Sequence, residues 1–253
     1  MERTLRSYLV PSLLYALLLE AMLAAAILYW PDFEDNLEAY GDILPFESVR
    51  KMVESISDTG VSAYVNLQHF YKACNVLGTA AAVFFAVGAV AGEANRGTLE
   101  LWLSRPVSRA RMLLERYFAG ALAVTLPIFL TSATIPWLLS HVGEEMSLSG
   151  LMLSSAHESL FLLVLYSLAF CLSTISSRPM PIALGLLFVT IFEFSIYLVM
   201  EWTHYSWFRL ADLDDFQTIL RTGGLDVSTC GPLAAASAAL LGLSLFLFHR
   251  RVP

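Results

Sequence analysis

The sequence predicts an all-α integral membrane protein with six transmembrane helices, and three observations carry that prediction. The chain is 57% hydrophobic and only 15% charged, too apolar for an ordinary soluble domain. Runs of about 20 apolar residues recur along it, the length a helix needs to cross the hydrocarbon core. The basic residues are also segregated. Arg3, Arg6, Arg96, Arg105, Arg109, Arg111, Arg116, Arg178, Arg250 and Arg251 fall in one set of connections and ends. Arg50, Lys51, Lys72, Arg209 and Arg221 fall in the other. Orientation follows Lys and Arg in short loops, so the first set is placed in the cytoplasm. Both termini are then cytoplasmic and the number of spans is even. A single multi-pass domain over residues 1–253, in the cytoplasmic membrane, is the expected organisation.

The first span is expected over residues 8–30. It is long for the apolar core of a signal peptide and ends in Tyr29-Trp30, an interfacial aromatic pair, which favours a retained helix. Residues 31–68 are acidic, with Asp32, Glu34, Asp35, Glu38, Asp42, Glu47, Glu54 and Asp58. Within them Val49, Met52, Val53 and Ile56 recur at helical spacing, so a short extracytoplasmic helix is expected. The second span, 69–91, is rich in small residues. Gly78, Ala82 and Ala86 lie four apart and Gly88 and Gly92 form another pair, spacing that lets helix backbones approach closely.

The third span, 113–139, contains Pro127 and Pro136, which should bend it. The fourth and fifth spans, 160–176 and 182–200, are separated by the turn Ser177-Arg178-Pro179. Residues 201–229 are acidic again, with Asp212, Asp214, Asp215 and Asp226. There Phe216, Ile219 and Leu220 before Gly223-Gly224 predict a second short outer helix with a glycine stop. The sixth span, 233–248, ends at His249-Arg250-Arg251. Cys74, Cys171 and Cys230 are dispersed in or beside apolar segments and read as small hydrophobes, not as a disulfide or metal framework.

Between the second and third spans lies Gly92–Arg116, which holds Arg96, Arg105, Arg109, Arg111 and Arg116 out of 15 Lys and Arg. Thr98 is placed as the N-cap of a short helix and Glu100 complements its dipole. Leu99, Trp102 and Leu103 share one face at i, i+3, i+4 spacing. Pro106 disfavours helix at Arg105, and Ser108 caps the helix that follows. From charge alone this elbow also fits a basic loop on anionic headgroups.

The order of residues is more specific. Glu93, then Arg96-Gly97-Thr98-Leu99-Glu100-Leu101, then Ser104-Arg105-Pro106-Val107-Ser108-Arg109 resembles the permease subunits of the ABC-2 transporter family. In that family an acidic residue, a Gly-Thr pair and a Pro-Val-Ser-Arg run mark the cytoplasmic turn between helices two and three. The resemblance implies that this turn is a coupling helix docking on a separate ATP-hydrolysing subunit. Glu93, Arg96, Gly97, Thr98, Leu99, Glu100, Trp102, Leu103, Arg105, Pro106 and Arg109 are its docking candidates. Leu99 and Trp102 are expected to enter a groove of the ATPase, with Glu100, Arg105 and Arg109 as the polar rim.

Further motifs limit the chemistry. A P-loop needs a Gly-Lys-Ser or Gly-Lys-Thr step; the lysines are Lys51 and Lys72, preceded by Arg50 and Tyr71, so this chain does not supply one. ATP and magnesium are therefore expected on the partner ATPase, with no cofactor and no metal on this chain. His157-Glu158 begins a zinc-protease pattern, but Phe161 stands where the second histidine is required. His69, His141, His157 and His204 are all expected near the outer side. Glu20 and Glu193 lie within spans, where a charge costs about 3 kcal/mol and therefore faces protein or a wet cavity. With Gly78, Ala82 and Gly88 they are candidates for a transport path or a permease–permease interface; a neighbour-satisfied structural carboxylate is the competing reading for each. For Glu193 the assignment leans on the resemblance, in which the second and fifth helices line the cavity.

The sequence thus leads to a non-enzymatic permease subunit of an ATP-driven ABC-2 exporter, paired with an ATPase subunit and a second permease copy, identical or paralogous, with no nucleic-acid partner. The alternative is a membrane anchor or mechanical transmitter for an extracytoplasmic partner, with the acidic outer segments as its docking surface.

Overall fold

The computed structural model describes residues 2–37, 47–104, 106–199 and 201–251. Among the described residues, six helices are long and apolar enough to cross a membrane. The first, α1, runs over Glu2–Asp35 and carries Pro11 and Pro31 within it. A short helix α2, Glu47–Thr59, precedes the second membrane helix α3, Val61–Ala89. The elbow holds two short helices, α4 (Ala91–Asn95) and α5 (Leu99–Leu103). Then come α6 (Arg109–Ser140), α7 (Leu148–Ile175) and α8 (Pro179–Leu198). Two 3₁₀ turns, Thr203–Tyr205 and Trp207–Ala211, and the short helix α9 (Leu213–Thr222) lead to the last membrane helix, α10 (Val227–Arg250). Glu38 and Asp42 of the acidic segment, and Arg105 of the elbow, lie outside the described residues.

The centre of the bundle is α7, which packs along α3, α6 and α10, while α1 packs on α6 and on the first half of α3. Both chain ends lie at the elbow end. The Tyr8 hydroxyl donates to the Phe85 carbonyl at 3.3 Å, and Arg109 reaches the last turn of α10. At the opposite end, the mouth, Trp30 is buried against Phe33 and Tyr64 and its indole N–H reaches Glu144 at 3.4 Å. Trp30 is therefore a packing residue, whereas its neighbour Tyr29 is exposed.

The structure moves several boundaries. α7 starts at Leu148, not near 160, because its first turns carry Ser154, Ser155, His157 and Glu158. These are polar yet fully buried in protein, so hydropathy misses them. His69 and His157 are likewise buried in protein, His157 reaching the Leu210 carbonyl at 3.0 Å at the mouth. The second membrane helix begins at Val61, not 69, and Asn66–Gly78 is wound as a π-helix, for which hydrophobic periodicity gives no signal.

Close helix approach occurs at Gly78, where an added Cβ would overlap Leu162 and Tyr15, and Ala82 and Ala86 are fully buried. Gly88 faces open space, so the Gly88–Gly92 pair makes no helix contact within the described residues of this chain. The approach that spacing did not reveal is at Gly120, where the Tyr166 hydroxyl, donating to the Tyr117 carbonyl at 3.1 Å, fills the place of a Cβ.

Candidate functional site

The elbow is built on Glu93. This carboxylate pairs with Arg96 at 2.6 Å, accepts from the Thr98 hydroxyl and lies 3.6 Å from Arg116. Thr98 occupies the N-cap position of α5, but its hydroxyl turns back to Glu93 and makes no cap bond to the helix. A cap must accept an N–H from the next turn, and here a nearby carboxylate claims the hydroxyl first. The tight turn that allows this needs Gly97 at φ +69°, a left-handed conformation that a Cβ would penalise. Burial works against the charged form of Glu93, but the Thr98, Arg96 and Arg116 partners outweigh it and hold the carboxyl below the usual carboxylate range.

Leu99 is 6% exposed and faces the chain's own body. Trp102 and Leu103 close a narrow crevice with Val90, Met112, Leu113, Arg116 and Phe248. Leu99 thus packs on its own bundle rather than projecting outward as expected, whereas Trp102 is only half-buried, against Arg116. Glu100, Leu101 and Ser104 point outward, and Leu101 is 66% exposed. The helical pattern contained this signal, since Leu101 falls off the Leu99–Trp102–Leu103 stripe. Pro106 is exposed, and Ser108 caps α6 by accepting from the Arg111 N–H at 3.3 Å.

Arg109 is committed within the chain. It donates to the carbonyls of Arg251 at 2.7 Å and His249 at 3.2 Å, and Arg251 in turn donates to those of Thr174 and Ser176. These bonds occupy carbonyls that helix ends leave unpaired. Together they strap the elbow exit, the chain end and the end of α7 into one unit.

Glu20 and Glu193, the carboxylates expected within spans, are not brought together. Glu20 accepts from the Thr134 hydroxyl at 3.0 Å, between α1 and α6. Glu193, inside α8, takes the Trp207 N–H at 3.2 Å while its carbonyl accepts from Ser206, so it ties the body of α8 to the start of the second 3₁₀ turn. It lines a cleft of about 490 Å³ at the mouth, with His204, Arg209 and Asp215. A neighbouring cleft, of about 460 Å³, lies among Lys51, Tyr197, Arg209, Asp212, Asp214 and Asp215.

The family model described as "ABC-2 family transporter protein" matches residues 1–206, from the first helix through the fifth and past the elbow. The chain belongs to the ABC-2 transporter family. It is therefore a multi-pass membrane transport component, the permease type of subunit, and membership implies a partner subunit that binds ATP. No curated protein matches the sequence.

Proposed function

We propose that this ABC-2 family chain is the membrane half of an ATP-driven exporter, seated on a separate ATPase through the elbow. The supporting observation is that α5 is fixed from behind by Leu99, Trp102 and the Glu93 cluster while Glu100 and Leu101 face outward. A lever must be rigid at its root and available at its tip, and this helix is both. Two copies of the permease would flank the path. Closure of the ATPases on ATP and magnesium would push the elbows, and through the strap at Arg109 and Arg251 the ends of α7 and α10 would move with α6. Exposed arginines at this end, Arg96, Arg111, Arg178 and Arg250, agree with a cytoplasmic placement.

The test is purification of the tagged chain from its native membrane, with the co-purifying chains identified and ATP hydrolysis assayed. A stoichiometric P-loop ATPase, lost in the double variant Glu100→Lys, Leu101→Asp while the membrane fold persists, is the expected result. A preparation without an ATPase, under conditions that preserve known complexes, overturns it. The charged clefts at the mouth would then favour the anchor for an extracytoplasmic partner.

A further inference from the structure

Neither the elbow nor the mouth uses the polar groups buried in the middle of the bundle. Glu158 on α7 is fully buried, and among the described residues neither its carboxylate oxygens nor the polar groups around it that follow have a hydrogen-bond partner. One turn earlier the Ser154 hydroxyl is also unpartnered. Across the interface, on the π-helical stretch of α3, the Asn75 amide is 1% exposed and neither its oxygen nor its nitrogen is bonded. From α1 the Tyr15 hydroxyl enters the same region, buried and unpartnered.

Helix register places these groups together. Leu162 of α7 and Tyr15 both crowd Gly78 of α3, and the Ser173 hydroxyl accepts the N–H groups of Val90 and Ala91. The two helices therefore run side by side in one direction. Glu158, a turn before Leu162, is level with Cys74 and Asn75, a turn before Gly78. Consistent with this, Glu158 interacts electrostatically with both Tyr15 and Cys74.

No cation of the chain neutralises Glu158 among the described residues. The titratable groups facing it are Tyr15 from α1 and Cys74 from α3. His69, also on α3, lies 3.9 Å from Cys74 and is bonded at 3.1 Å to Ser132 of α6. Its neighbour His157 points the other way, to the Leu210 carbonyl, to Cys230 of α10 and to Asp215 of α9 at 4.0 Å. Lys72 is exposed and bonded to Gln68. Among the described residues no three His, Cys, Asp or Glu converge as metal ligands.

A bare buried carboxylate is strongly destabilising, and each unmade buried hydrogen bond adds to that cost. A proton removes the first cost, and internal water, which typically makes about three hydrogen bonds to such groups, removes the second.

We propose that Glu158 is a proton-binding site, joined by internal water to Asn75, Tyr15 and Ser154 between α1, α3 and α7. Loss of the proton would leave a charge between α3 and α7, whose far ends are tied at Ser173 beside the elbow. The occupied site therefore favours the packed arrangement seen here.

The test is infrared spectroscopy of the purified protein in lipid nanodiscs at neutral pH. The expected spectrum contains the carbonyl stretch of a protonated, buried carboxylic acid, shifted in deuterium oxide. It should be lost in Glu158→Gln, retained in Glu20→Gln, and unchanged when sodium is replaced by choline. Absence of the band in the wild type overturns the proposal. So does a band that appears only without sodium, which would make a metal cation the occupant. The wild type carries the test even where Glu158→Gln does not fold: with glutamate labelled by ¹³C at the side-chain carboxyl, one acid signal must shift with the label, and none shifting overturns the proposal.

Discussion

Arg116 stacks on Trp102, its guanidinium carbon 2.8 Å from the centroid of the indole ring. The same guanidinium donates to the Ala89 carbonyl at 2.8 Å and lies beside Glu93, so one side chain joins the end of α3, the elbow helix and the start of α6. A desolvated cation–π contact contributes about 2 kcal/mol. With Leu99→Cys as a buried reporter, Trp102→Ala or Arg116→Gln should raise its thiol-labelling rate about thirtyfold, the opening factor that energy corresponds to. Arg116→Lys should not restore protection, because an ammonium can neither lie flat on the ring nor hold the same fork of bonds. Unchanged labelling in all three variants would show that the elbow is held by burial of Leu99 alone.

Glu93 gives the elbow an acid limit. Its native carboxyl titrates below its ordinary value of 4.5, so the folded state prefers the charged form. The stabilisation is present above the unfolded value and is lost as pH falls through the depressed native one. Thermal midpoints of the wild type and Glu93→Gln should therefore differ at pH 7 and converge as the pH drops below about 4. A constant difference across that range would assign the effect to the shape of the side chain and not its charge.

Glycine positions separate true helix contacts from mere spacing. Gly78→Ala would place a methyl against Leu162 and Tyr15, and Gly120→Ala one against Tyr166. Overpacking of this kind costs about 1–3 kcal/mol. Gly88→Ala meets nothing within 4 Å, and alanine is the better helix former, so it should be neutral or stabilising by up to about 1 kcal/mol. Unfolding in a mild detergent series ranks the three. Equal destabilisation by Gly88→Ala would mean that its open side is occupied in the membrane.

What was legible in the chain followed from how local each signal is. Length, apolar runs and the arginine bias depend on the bilayer, so six helices and the elbow between the second and third could be read directly. Ser108 as a cap and Gly223 as a helix stop are single-residue effects, and both occur, the latter at φ +66°. Thr98 could not be read correctly because its choice of Glu93 over the helix depends on the Arg96-Gly97 turn, which brings back a carboxylate five residues away. The stripe of Leu99, Trp102 and Leu103 and the place of Leu101 off it were legible, but whether that stripe meets the chain's own body or another subunit is not a local property of a five-residue helix. Glu158 was masked by its resemblance to half of a zinc motif. Its significance comes from a π-helix on another span, which no local pattern announces.

Asp212 at the mouth should show the opposite pH dependence to Glu93. It opens α9 as a capping box with Asp215, accepting the Leu213 N–H at 2.6 Å and a bond from the Tyr197 hydroxyl. Burial pushes its carboxyl above the ordinary 3.8; the bonds from Tyr197 and Leu213 pull it down, while Asp214 and Asp215 reinforce the rise. The folded state therefore holds its proton over a window above 3.8 in which the unfolded chain has lost it. Stability from this group is complete below the unfolded value and falls as pH rises through the native one. Asp212→Asn copies the neutral form and keeps an acceptor for Leu213 and Tyr197. Relative to it, the wild type should lose thermal stability as pH rises from below 4 towards neutrality, and added salt should shrink the loss by screening Asp214 and Asp215. If the wild type instead gains on Asp212→Asn with rising pH, the two hydrogen bonds outweigh burial, and the mouth is stabilised by a charged cap.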